Sequence, residues 1–267
     1  GTGAGMKLFC GGIGVAHPDI VNASRRIKKS EFELCQKNGV TEIMEIQIGN
    51  DGIALAESNA GPKMSLTRKD IYLALAANPM GKPNTAKTWK DVNASLPAIP
   101  IKVLGPPSTS GTRDAFAELI LEKGCEEANP EAKALKDSDK NKFENLCLLI
   151  RSDAAYVDSG ENDNLIVQKL STDPNALGIF GYSYLEENAQ RLHGVAIDGV
   201  TPSYETIAGN TYPGARALYI YVKKQHLKAV PGLKEFLAQY AQMWAPDGPL
   251  VKRGLIASPP AARDASA

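Results

Sequence analysis

IKVLGPPSTSGTRDAFAELI, residues 101–120, divides into three parts. Ile99 to Leu104 carries the apolar, β-branched side chains of a buried strand. Arg113 to Lys123 sets Phe116, Leu119, Ile120 and the stem of Lys123 at helical spacing, with Gly124 as a stop. Between them lies a turn of proline, serine, threonine and glycine. A strand that runs through a short turn into a helix is the repeating unit of α/β architecture. A helix that starts on Ser110-Gly111-Thr112 presents backbone N–H groups and hydroxyls at its positive end.

The alternation continues outward from this stretch. Residues 6–10 read as the start of a helix after the glycine-rich Gly1-Thr2-Gly3-Ala4-Gly5 turn, and Asp19 to Ser24 as a short strand. Thr41 to Ala56 holds two strand-like runs around Asn50-Asp51-Gly52, a strong turn signal. Thr67 caps a helix with Asp70 three residues on. A further helix ends near Ile166–Leu170. Gly178 to Leu185 reads as a strand turning into a helix, Ala217 to Val222 as a strand, and Pro231 to Met243 as a helix. Residues 126–141 and the tail 257–267 are polar or small enough to predict mobility. The whole reads as α/β with sheets covered on their faces, and in such folds ligands gather at strand carboxyl ends beside helix N-termini.

The 267 residues carry 30 Lys plus Arg and 30 Asp plus Glu, a formal charge of zero. That balance argues against a nucleic-acid binder or a chain held to anionic membranes by bulk charge. No apolar run approaches the roughly 20 residues of a membrane helix. No signal peptide opens the chain, so it reads as cytosolic or as secreted and already trimmed. Cys10, Cys35, Cys125 and Cys147 show no CxxC spacing. Cys10 with Cys35 and Cys125 with Cys147 would each close a short loop, worth about 3 kcal/mol if oxidised and implying an extracytoplasmic home. The alternative is four buried free thiols.

Four segments offer chemistry. Ser108 to Arg113 is an anion cradle of neutral donors with one guanidinium, Arg113, or else a plain N-cap. Gly1 to Gly5 permits close backbone approach but matches neither a Walker loop nor a complete GxGxxG. Asn22 to Arg26 brings Ser24 and Arg25 to a strand end. Gly160-Glu161-Asn162-Asp163-Asn164 precedes a helix, as either a cap or a further donor set. Catalytic readings lack support: Ser110 has no GxSxG elbow, the three histidines lie in no motif, and there is no HExxH or metal cluster.

In order, GTGAGMKLF, NASRRIKKSE, LTRKDIYLALA with TWKDVN, STSGTRDAF, GIFGYSYL and TYPGARALYIYV resemble the periplasmic phosphate-binding proteins of phosphate-specific ABC transporters, the PstS family. The likeness is collinear over nearly the whole chain. It implies a two-lobed periplasmic-binding-protein (Venus-flytrap) fold, with a mainly parallel or mixed sheet and flanking helices in each lobe. Lobe I would comprise residues 1–54 plus 206–267, and lobe II residues 55–205. The resemblance implies inorganic phosphate held in the interlobe cleft by Thr2, Gly3, Ser24 and Arg25 and by Ser110, Gly111, Thr112 and Arg113, with Asn162 and Asn164 behind them.

It further implies a non-enzymatic, periplasmic monomer that feeds an ABC transporter permease, with no cofactor, metal or nucleic acid. The resemblance implies a further strand, a phosphate-binding loop and a helix ahead of the first motif, so the sequence reads as a truncated record or fragment of such a protein. Arg25 stands where some members carry an Asp that accepts the proton of hydrogen phosphate, and Pro106 stands where some carry an Arg. The resemblance therefore leaves open a receptor for sulfate, phosphonate or arsenate. A phosphate-ester hydrolase using Ser110 and an adhesion or signalling protein that borrowed the fold are the rival classes.

Overall fold

A computed structural model describes residues 2–160 and 162–266. Gly1, Glu161 and Ala267, on which parts of the two glycine-bearing segments and of the tail fall, lie outside the described residues. In chain order the elements are α1 (Thr2–Phe9), β1 (Ile20–Ala23), α2 (Lys29–Lys37), β2 (Ile43–Ser58), β3 (Ser65–Leu66), α3 (Arg68–Leu75) and α4 (Trp89–Val92). Next come β4 (Val103–Gly105), α5 (Gly111–Phe116), α6 (Glu122–Ala128), α7 (Ala132–Ser138), α8 (Lys140–Phe143), β5 (Tyr156–Asp158), α9 (Asp163–Thr172), β6 (Leu177–Gly181) and α10 (Tyr182–Glu187). The chain finishes with β7 (Leu192–Gly194), β8 (Ala196–Ile197), α11 (Tyr204–Ala208), β9 (Ala215–Lys223), α12 (Leu233–Met243) and α13 (Pro260–Ser266).

The fold is mixed α/β and divides into two compact units. The first contains the chain up to Asp51, Ile207–Asn210 and the chain from Arg216; the second contains Gly52–Thr206 and Thr211–Ala215. In the first unit β9 lies beside β1 in antiparallel register, Val21 opposite Tyr221 and Ala23 opposite Tyr219. Period-two alternation on β9 serves two cores. Tyr219 and Tyr221 pack with Met6, Phe9, Val21 and Val40, while Ile220 and Val222 pack with Ile46, Ile48 and Trp244. In the second unit β4 pairs parallel with both β5 and β6, and β6 pairs antiparallel with β2. Parallel strands whose connections are helices are the geometry that the residue 101–120 stretch predicts.

Several local expectations give way to tertiary contacts. Asn50-Asp51-Gly52 makes no turn: β2 runs unbroken from Ile43 to Ser58. Asn50 is buried, and its side-chain amide donates to the Ile207 and Ala208 carbonyls, while its backbone bridges to Ile256. Asp51 is held by Arg216 at 3.1 Å. These partners spend the polar groups that would otherwise close an Asx turn.

Gly124 does not end a helix. Helical backbone runs from Gly111 to Ala128 through a π-helical turn at Ala117–Leu121. A Cβ on Gly124 would lie 2.1 Å from the Arg68 carbonyl oxygen, so this glycine lets α6 pack against α3. The polar stretch 126–141 is largely helical, anchored by buried Ala132 and by Lys136 on Glu122 at 2.5 Å. In the tail, Ile256, Ala257 and Ser258 are buried and α13 follows. The strand before the serine turn is shorter than the apolar run suggests, Val103–Gly105.

Candidate functional site

The donors expected from the sequence fall into two sets, one in each unit. In the first unit the glycine-rich segment is not a turn but the body of α1, which begins at Thr2. Gly5 explains the composition, because a Cβ there would lie 2.8 Å from Val21 Cγ2. Small residues let α1 lie close on β1, and that contact brings the helix start to the strand end. Thr2 Oγ1 accepts the Ser24 N–H at 3.0 Å and shares a hydrogen bond with Ser24 Oγ at 3.1 Å. Two hydroxyls from segments far apart in the chain thus meet at the positive end of a helix.

Arg25 is paired. Its Nη1 and Nη2 donate to Glu31 at 2.9 and 2.7 Å, and Nη1 also reaches the Arg26 carbonyl. Glu31 additionally accepts the Lys28 N–H at 2.9 Å, which ties the start of α2. The Arg25 hydrogen bonds hold the Glu31 carboxyl below its ordinary value, with burial acting the other way and the Lys28 N–H adding to the lowering. A Cβ on Gly3 would stand 3.7 Å from Arg25 Nη2, an ordinary contact, so packing does not demand glycine at this position. Glu31 is a residue that sequence reasoning missed. Its only signal was the Lys28-x-x-Glu31 capping spacing, which predicts a helix cap and not an ion pair.

In the second unit, β4 ends on Gly105, where a Cβ would collide with the Tyr156 hydroxyl. That hydroxyl donates to the Pro106 carbonyl at 2.6 Å and fixes the exit of the chain from the sheet. The Ser110 N–H then donates to the Pro107 carbonyl at 3.0 Å, and Ser110 Oγ accepts the Thr112 N–H at 3.2 Å as N-cap of α5. Gly111 is exposed and a Cβ on it would meet nothing within 4 Å, so neither backbone nor crowding demands glycine here. Open space over the first helical turn is what a closely approaching ligand requires. Arg113 lies over the Tyr156 ring at 4.4 Å and donates to the Pro106 carbonyl at 3.3 Å. Burial raises the Tyr156 hydroxyl's pKa, and Arg113 opposes the shift. Tyr156, unflagged in the sequence, is thus the platform of this turn.

Asn162 caps α9 by accepting the Asn164 N–H at 3.1 Å. Among the described residues no hydrogen bond joins Asn162 or Asn164 to the Ser110 turn. The Asp163 carboxyl between them is pushed up by burial, against a hydrogen bond from the Gly181 N–H. No histidine or carboxylate hydrogen-bonds Ser110 among the described residues, and no group of three or more His, Cys, Asp or Glu side chains there could hold a metal. Both disulfides are closed, Cys10–Cys35 and Cys125–Cys147. The first joins the residue after α1 to α2 and so braces the Thr2 corner.

Mixed α/β units with strand-turn-helix connections belong to the α/β class, of which the periplasmic-binding-protein type is one form. The model for the PBP superfamily domain matches residues 1–241, and the chain belongs to that superfamily. It is 32% identical over 250 residues to Protein SphX of Synechococcus elongatus, covering 91% of this chain and 63% of that protein. It is 31% identical over 246 residues to the phosphate-binding protein PstS of Staphylococcus saprophyticus, covering 89% and 63%. The chain thus spans 63% of the length of these two relatives. Among solved structures, a possible phosphate-binding protein from Planctomyces limnophilus aligns with a TM-score of 0.73 at 26% identity, over 100% of this chain and 83% of the other. PstS from Borrelia burgdorferi, at 21% identity and a TM-score of 0.63 over 97% and 85%, shares the fold.

Proposed function

We propose that this chain is a phosphate receptor: it binds inorganic phosphate outside the cytoplasm, acting as a monomer without a cofactor, and delivers it to the permease of an ABC importer. The observation that carries this reading is the Ser110-Gly111-Thr112 turn, a rigid helix start with hydroxyls, free space above Gly111 and a guanidinium alongside. The proposed donors are Ser110, Gly111, Thr112 and Arg113 in the second unit and Thr2, Gly3, Ser24 and Arg25 in the first. The reading gains weight from the named relatives and from the two disulfides, which suit an oxidising compartment.

Neutral donors suit a receptor that must later release its ligand. A buried divalent anion needs many hydrogen bonds, and each gives roughly 1.5–3 kcal/mol when its partner is charged. In the first unit the Arg25 charge is balanced by Glu31, so Thr2, Ser24 and the α1 amide groups carry that share of the contact.

Calorimetric titration tests the proposal. Phosphate is expected to give saturable heat with one site per chain, and sulfate in excess is expected to compete poorly. Ser110→Ala with Thr112→Ala is expected to weaken phosphate binding by about 2–4 kcal/mol. No heat with phosphate, or equal heat with sulfate, phosphonate or arsenate, overturns the phosphate assignment. Hydrolysis of a chromogenic phosphate ester, abolished by Ser110→Ala, would replace it with an esterase.

A further inference from the structure

We infer that the second unit carries a docking groove for a basic, aliphatic segment of a partner protein, on the flank of the helix that starts at Ser110. Two cavities of about 430 and 360 Å3 lie on either side of a wall made by Leu148 and Leu149, and the larger one is the groove. The groove is lined by Ser108, Arg113, Asp114 and Glu118, and the smaller cavity by Asn145. Leu149 is 46% exposed on the wall, a large aliphatic side chain left in water.

Charge complementarity decides the occupant. Asp114 and Glu118 are exposed and lie one turn apart, and among the described residues neither has a cation within ion-pair distance. Asp114 gains from the helix N-terminus, but Glu118 is a turn further along, where that benefit has faded. Like charges at this spacing repel. The nearby Glu122 and Glu144, by contrast, are already matched by Lys136 and Lys140. The cation that also lines the groove, Arg113, is turned onto Tyr156. The rim therefore offers two uncompensated carboxylates beside an exposed leucine, a complement to Lys or Arg set one helical turn apart next to an aliphatic residue.

The backbone is shaped for this surface. Two π-helical turns, Ala117–Leu121 and Glu144–Leu148, contribute residues to the groove, and Cys125–Cys147 ties the segments that carry them. A π turn shifts side-chain positions around the helix axis, and such turns concentrate at functional surfaces. Because Ser108 and Arg113 belong both to the groove end and to the donor turn, an occupant of the groove touches the turn directly. The inference stands whichever anion the turn holds.

The test uses the full chain, isotope-labelled, titrated with a synthetic helical peptide bearing Leu and Lys on one face. Expected are amide shifts confined to Asp114, Glu118, Asn145, Leu148, Leu149 and their neighbours, with affinity falling as salt is raised. Asp114→Lys with Glu118→Lys is expected to weaken the peptide about tenfold, and Leu149→Ser to weaken it with the salt dependence retained. If the double reversal fails to fold, as a melting curve would show, Asp114→Asn with Glu118→Gln removes the charges without added bulk and is read instead. Shifts spread elsewhere, undiminished binding by the charge variants, or equal binding of the same peptide with Glu in place of Lys would overturn the inference.

Discussion

The Ser110 turn and the Thr2–Ser24 corner both present small donors, and they are held by different means. The Ser110 turn is local. Its conformation is set by hydrogen bonds among Pro107, Ser110 and Thr112, with one remote brace from Tyr156 to Pro106. The Thr2 corner is tertiary. A helix start and a strand end meet because Gly5 fits against Val21, and Arg25 is fixed by a carboxylate on another helix. A local turn keeps its shape when distant parts of the fold loosen, whereas a tertiary corner depends on every contact that joins its two segments.

That difference is most exposed by the disulfides. Replacing Cys10 and Cys35 with Ala, or Cys125 and Cys147 with Ala, is expected to lower stability by about 3 kcal/mol in each case, measured by denaturant unfolding. The loops are alike, with separations of 25 and 22 residues. The effect on phosphate binding should differ. The first pair braces α1 against α2, so its loss is expected to weaken the calorimetric affinity severalfold, while loss of the second pair leaves it near that of the parent. Equal losses of affinity would mean that the corner does not depend on its bridge.

Next in size are two single changes of about 1 kcal/mol each, both read by urea unfolding. Tyr156→Phe removes the 2.6 Å hydrogen bond to the Pro106 carbonyl, a cost of about 1 kcal/mol. Thr2→Val leaves the Ser24 N–H without its acceptor, at a similar cost of about 1 kcal/mol. The turn should keep its ligand-binding shape in Tyr156→Phe, since Ser110 and Thr112 retain their own bonds. Thr2→Val should lose affinity along with stability. A Tyr156→Phe variant that binds much more weakly would show the turn to be as dependent on remote support as the corner.

How much could be read beforehand follows the same division. The Ser110 turn was legible because its determinants other than the Tyr156 brace lie within the stretch from Val103 to Phe116: an apolar run, a serine cap and a helical apolar face. Thr67 with Asp70 was legible for the same reason. Asn50-Asp51-Gly52 misled because its polar side chains are satisfied by Ile207, Ala208 and Arg216, more than 150 residues away. Gly124 misled because its neighbour is a carbonyl of another helix, and Gly5 because its neighbour is Val21. In the candidate site, Ser24 and Arg25 could be picked out as donors, but the meaning of Arg25 rested on Glu31, and that of Arg113 on Tyr156. Residue type reports what a side chain can do; its partner, which fixes what it does, is set by packing.

The smallest expected effects separate two carboxylates by the sign of their pH dependence. Glu31 is held below its ordinary value by the Arg25 hydrogen bonds. Its contribution is therefore fully present above the ordinary glutamate range and is lost as pH falls through the lower folded value. Asp163 is raised by burial, so its charged form opposes folding: the stability tied to its protonation is present at low pH and lost as pH rises through the raised value. Glu31→Gln should then be less stable than the parent at neutral pH, by about 1 kcal/mol after allowing for its partial exposure, and indistinguishable from it in strong acid. Asp163→Asn keeps an oxygen to accept the Gly181 N–H, so it should be slightly more stable than the parent at neutral pH, by less than about 1 kcal/mol, and again converge with it in acid. Unfolding free energies measured from acid to neutral pH decide this. A Glu31→Gln curve that does not fall below the parent at neutral pH would mean that Glu31 is not stabilised by Arg25, and the charge-balanced account of the Thr2 corner would fall with it.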